Sequence, residues 1–115
     1  MNDVQLLVLI LKKVELIDEL IKKLAESNVT GGTIIEGSGM AEALLNMEDL
    51  PAFGLLRQIL GDNDKEPCKL MMFVLKDEQA ITTRKMIKKV IGSLEEPNTG
   101  IMFAMPITYV EGIGE

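Results

Sequence analysis

The sequence has no histidine, no tryptophan, a single cysteine, a single tyrosine and three phenylalanines. Each scarcity removes a class of chemistry. Without histidine, the usual general base near neutral pH and the commonest metal ligand are missing. One cysteine, Cys68, allows neither an internal disulfide nor a thiolate metal cluster, a usage that fits a reducing compartment. So few aromatics leave no platform on which bases could stack. Positive charge is also in short supply: 12 Lys and Arg face 18 Asp and Glu, for a formal charge of −6. No basic face is expected, which argues against nucleic acid and against an anionic membrane surface. The longest unbroken apolar run, Leu6 to Leu11, is too short to span a bilayer, and no basic-apolar-cleavage pattern opens the chain. The expectation is a soluble, cytoplasmic protein of 115 residues forming one domain.

What is present is a regular succession of apolar patterns. Leu6 to Leu11 reads as a strand in a covered sheet. From Val14 the period changes: Val14, Ile17, Leu20, Ile21 and Leu24 recur at helical spacing, and Asn28 is placed to cap the helix. Gly31-Gly32 turns the chain into a short strand, Thr33 to Glu36, closed by Gly37-Ser38-Gly39. Residues 40–67 are long for a connection in a compact domain. They carry six acidic and two basic groups, with a turn at Met47–Pro51, helical spacing from Ala52 to Leu60, and an exposed turn at Gly61–Lys65. Cys68 to Leu75 is a second strongly apolar strand. Asp77 is placed to cap a helix running to about Leu94, with Ala80, Thr83, Ile87, Val90, Ile91 and Leu94 on its apolar face and Lys85, Lys88 and Lys89 outside. Ile101 to Ile107 is the fourth strand.

The order β-α-β, long loop, β-α-β specifies an α+β fold of ferredoxin-like type: a four-stranded antiparallel sheet with both helices on one face. No helix of the chain covers the other face. Strands as apolar as these predict that copies of the chain cover it.

No nucleophile–base pair is available, so catalysis is not expected. Cys68 is read as core packing. The carboxylates are read as solvated surface; Glu42, Glu48 and Asp49 are the three nearest to a cation site, with nothing to fix their geometry. Met71, Met72, Met102 and Met105 fit gap filling in a core or interface. Two turns remain as candidates for binding, Gly37-Ser38-Gly39 and Asn98-Thr99-Gly100. Each contains glycine, which permits close approach of backbone to a ligand. Each also suits a plain connection.

The stretches "LLVLILKKVELIDELIKKLAESNVTGGTIIEGSGM" and "TGIMFAMPITYVEGIGE", with the long loop between them, resemble the PII-type nitrogen-regulatory superfamily over nearly the whole chain. They are most similar to a divergent PII-like branch with "GSGM" and "EPNTGI" turns. The resemblance implies a homotrimer with its sheets facing inward. It implies a small effector, typically an adenine nucleotide, bound in clefts between subunits. It also implies a long loop, here about 40–67, that controls a partner, either an enzyme or a membrane transporter. The matching positions are Thr33, Gly37 and Gly39 on one side of the cleft and Gly100 on the other, and with their neighbours Ser38, Met40, Asn98 and Thr99 they make up the candidate ligand-binding residues.

The sequence departs from that pattern in its charges. Ile101 stands where PII proteins carry a lysine, no Lys or Arg follows Lys89, and residues 95–115 hold four acidic groups. These departures point away from ATP and toward a less charged ligand. The loop also lacks the tyrosine that PII proteins carry for uridylylation. Two other readings compete with a signalling role: a trimeric assembly module with no small ligand, and a CutA-like divalent-metal protein.

Overall fold

The structure is a computed structural model, and it describes residues 3–38, 40 and 68–112. Among the described residues, four strands and two helices are formed. Strand β1 is Val4–Leu11, and a 3-10 turn at Val14–Leu16 leads into helix α1, Ile17–Glu26. Strand β2 is Gly32–Gly37 and β3 is Cys68–Lys76. Helix α2 is Asp77–Ile91 and β4 is Gly100–Pro106. The expected turns at Met47–Pro51 and Gly61–Lys65, the expected helix at Ala52–Leu60, and Gly39 lie outside the described residues.

The sheet has the order β2-β3-β1-β4 with every pairing antiparallel. This is the ferredoxin-like arrangement, with β1 and β3 central and β2 and β4 at the edges. Registers align residues in rows across all four strands. Ile34, Met71, Leu9 and Met102 form one row, and Glu36, Lys69, Leu11 and Gly100 another. These rows lie on the face that the helices cover. Leu7, Leu9, Leu11, Met71, Phe73 and Leu75 pack there beneath Leu20 and Leu24 of α1 and Ala80, Ile87 and Ile91 of α2. Burying side chains of this size contributes about 1.5–3 kcal/mol each.

The two helices end by different devices. Ser27 and Asn28 close α1 in a Schellman motif: Asn28 adopts φ 64°, its N–H donates to the Ala25 carbonyl (3.0 Å), and the Val29 N–H donates to the Leu24 carbonyl (2.8 Å). The expected asparagine cap is therefore present. Helix α2 stops three residues before the expected Leu94, because Gly92 turns to φ 86°. Leu94 still packs against the core from the following turn, which is why its spacing looked helical. At the start of α2, Asp77 does not cap. Its carboxylate accepts a hydrogen bond from Gln5 Nε2 (2.7 Å), and Gln79 Oε1 takes the Lys76 N–H instead (3.2 Å).

The opposite face of the sheet is apolar, and no described helix covers it. Leu6, Val8 and Ile10 of β1 stand there between Leu70, Met72 and Val74 of β3 and Ile101, Phe103 and Met105 of β4, with Ile35 at the β2 edge. Ile101 is 58 % exposed, Met105 47 % and Phe103 41 %. Met71 and Met102 fill the core, as expected of them, whereas Met72 and Met105 belong to this open face. Cys68 is half-buried and stands apart from the core, which corrects its reading as core packing. Its register with Gly37 places it at the end of the sheet, where β2 stops and β3 starts, and its sulfur would lie 3.2 Å from a Cβ on Gly37.

Candidate functional site

The two candidate turns sit at the same end of the sheet but on opposite edges. Gly37 ends β2, and Gly100 begins β4. The row Glu36, Lys69, Leu11, Gly100 separates them by three strand spacings, roughly 14 Å. One chain therefore does not bring Gly37 and Ser38 into contact with Asn98, Thr99 and Gly100. Ser38 and Met40 are exposed where the chain leaves the sheet. Thr33 lies lower on β2, in the open-face row with Met72, Val8 and Phe103.

Where the chain leaves β2 and returns in β3, an ion pair joins the strands. Lys69 Nζ donates to Glu36 Oε1 across directly opposed positions. The hydrogen bond and the positive charge of Lys69 hold the Glu36 carboxyl below the usual carboxylate range. The pair is solvent-exposed on the Glu36 side, so its main effect is to fix the register of the two strands.

The 92–100 turn is tied to the sheet by its own backbone. The Thr99 carbonyl accepts the N–H groups of Lys12 (3.0 Å) and Lys13 (3.4 Å), just beyond β1. Thr99 is buried, and its Oγ1 has no hydrogen-bond partner among the described residues. Two N–H groups of the kind that cradle a phosphate are used inside the turn. Glu95 donates to Ser93 Oγ (3.2 Å) and Glu96 to the Ser93 carbonyl (3.4 Å). Asn98 holds φ 62°, a conformation that asparagine tolerates.

Gly100 has a structural reason to be glycine. It sits at φ 153°, and a Cβ there would fall 2.5 Å from the backbone oxygen of Ile10. The close approach is of β4 to β1, within the sheet. A glycine read as a ligand contact is thus required by strand packing alone.

The charge around the turn differs from what the local sequence indicates. Lys13 pairs with Glu96 at 3.8 Å. Lys88, in the last turn of α2, lines a cavity of about 590 Å³ together with Ser93, Glu95, Gly100, Ile101 and Met102. Sequence reasoning found no cation after Lys89 and so none for this turn. The signal that would have found Lys88 is its place in the last turn of α2, from which residues 92–99 turn back to Gly100, so that the end of the helix and the start of β4 border one cavity. Among the described residues, no group of three or more acidic or cysteine side chains is placed to hold a metal ion. No described helix is long and apolar enough to cross a membrane.

No protein-family model matches the chain, and no curated protein matches it in sequence. Solved structures share its fold. A functionally unknown protein from Pediococcus pentosaceus superposes with a TM-score of 0.64 at 11 % identity, covering 97 % of this chain and 99 % of that one. The PII protein of Arabidopsis thaliana, solved with citrate bound, superposes with a TM-score of 0.60 at 15 % identity, covering 92 % of this chain and 78 % of that one. At these identities the likeness shows the fold, and the fold is PII-like.

Proposed function

We propose that the protein is a PII-like regulator: a homotrimer that binds a small effector in clefts between subunits, performs no catalysis, and acts on a partner enzyme or transporter through residues 40–67. The observation that carries this reading is the placement of the two candidate turns. They lie at one end of the sheet, on opposite edges, so a second copy is what can set Gly37 and Ser38 beside Asn98–Gly100. The open face supports association. Ile101, Phe103 and Met105 leave on one side of the sheet an apolar surface of the kind that interfaces cover. The PII-like fold and the bound citrate of the Arabidopsis structure support binding of a small molecule.

The chemistry of the turn limits the effector's charge. Thr99 is buried, the Glu95 and Glu96 amides are engaged, and both glutamates oppose a polyanion. Among adenine nucleotides the site favours the less charged ones, AMP or a cyclic nucleotide, over ATP.

Light scattering gives the mass, and calorimetric titration with ATP, ADP, AMP, cyclic AMP and citrate gives the ligand. A trimer that binds one of the less charged nucleotides is the expected result. A monomer, or no heat with any of these ligands at millimolar concentration, overturns the reading. Ser38→Glu is the variant of choice. It adds negative charge at an exposed position of the β2 turn, whereas replacing Gly100 would disturb the sheet itself.

A further inference from the structure

The cavity under the 92–100 turn holds two opposite charges that do not meet. Lys88 reaches it from α2 and Glu95 from the turn. Both side chains are exposed, and among the described residues neither forms an ion pair. Gly92, which ends α2, also lines the cavity, so the negative end of the helix lies at its margin. Leu94 and Met102 give it an apolar wall, and Ile101, whose side chain is on the open face, borders it through its backbone. Its volume, about 590 Å³, is that of a small-molecule site.

We infer that this cavity binds a small zwitterion of the apolar α-amino-acid type. The ammonium group faces Glu95 and the carbonyl end of α2, the carboxylate faces Lys88, and the side chain lies against Leu94 and Met102. The selection follows from electrostatics. A lone carboxylate gains Lys88 but meets the repulsion of Glu95, and a lone amine has the converse difficulty. A zwitterion satisfies both charges and leaves neither facing its like. The cavity shares Gly100 with the intersubunit cleft proposed above, but its charged groups, Lys88 and Glu95, come from the end of α2 and the turn after it, so the leucine titration reads it separately from the nucleotide titrations.

Leucine is the probe, titrated calorimetrically into the full-length protein beside its two half-molecules, 4-methylpentanoate and 3-methylbutylamine. Leucine is expected to bind, and each half-molecule to bind about tenfold more weakly or worse. Lys88→Gln and Glu95→Gln are each expected to weaken leucine by about tenfold with the melting temperature unchanged, since both side chains are exposed. Lys88→Glu combined with Glu95→Lys presents the same two charges in reverse, and recovery of binding in that double variant separates charge recognition from a structural effect. The inference is overturned if leucine, isoleucine and methionine all give no heat, if a half-molecule binds as tightly as leucine, or if both single variants keep full affinity.

Discussion

Replacing Gly100 by alanine tests the backbone geometry on which both the fold and the site depend. A Cβ at this position meets the Ile10 oxygen at 2.5 Å, and it meets backbone, which has no rotamer to escape into. The φ of 153° adds conformational strain of about 1 kcal/mol for a residue with a side chain. Relief of the clash requires β4 to shift against β1, with a cost of about 1–3 kcal/mol on the scale of overpacked cores. The expected loss is therefore about 2–4 kcal/mol, or a fall in melting temperature on the order of 10 °C or more.

Gly92→Ala is the matched control. Gly92 also has positive φ, 86°, but a Cβ there meets nothing within 4 Å. It should cost only the strain, about 1 kcal/mol. Urea unfolding of wild type and both variants, followed by circular dichroism at one protein concentration and without ligand, gives the comparison. If Gly100→Ala is as stable as Gly92→Ala, the pairing of Gly100 with Leu11 is wrong, and the glycine must be explained by a ligand after all.

Asn28→Gly should leave stability unchanged or raise it slightly, and Asn28→Ala should lower it by about 1 kcal/mol, since the residue holds the left-handed position that closes α1; thermal melts of the two variants decide the sign. Thr99→Val removes a buried hydroxyl without a partner and should be neutral or stabilising by the same measurement. Phe103→Asp places a charge in the middle of the open face and should lower the mass found by light scattering, with the helical circular-dichroism signal retained. Glu36 has a depressed folded-state pKa, so its contribution is present above the unfolded carboxylate pKa and is lost as pH falls through the lower folded value; Lys69→Met should flatten the acid limb of the stability curve, and an unchanged limb would remove the ion pair from the account.

The sequence revealed the elements better than their ends. Strand β1 and helix α1 differ in period within a few residues, Leu6 to Leu11 against Val14 to Leu24, and that change fixes their types. The doubling of the pattern fixes the topology, and with α1 and α2 on one face, no described helix covers the other. Asn28 was legible because few residues other than glycine and asparagine accept its conformation. Asp77 was not, since a residue 72 positions away, Gln5, competes for its carboxylate. Leu94 misled because a turn can deliver a side chain to the same core as a helix.

The candidate site was legible in part. Its two turns are local features, and both are placed at one end of the sheet. Their separation across three strands is a property of pairing order, which single turns do not encode. Lys88 was missed for the same reason, since it is twelve residues before Gly100 in sequence and beside it only in space. Gly39 and the acidic stretch beyond it lie outside the described residues.

The strand order has a further consequence for how the chain becomes a fold. The two central strands, β1 and β3, come from different halves of the molecule, and each half keeps only one edge strand beside its helix. Neither β1-α1-β2 nor β3-α2-β4 contains a paired sheet of its own, because β2 pairs with β3 and β4 with β1. The halves are interlocked like the fingers of two hands. Folding must therefore bring distant segments together before any strand is paired, which favours a slow, single cooperative transition. By the same logic, two polypeptides divided between β2 and β3 would each be unstructured alone and would assemble only with each other, a ready format for split-protein complementation.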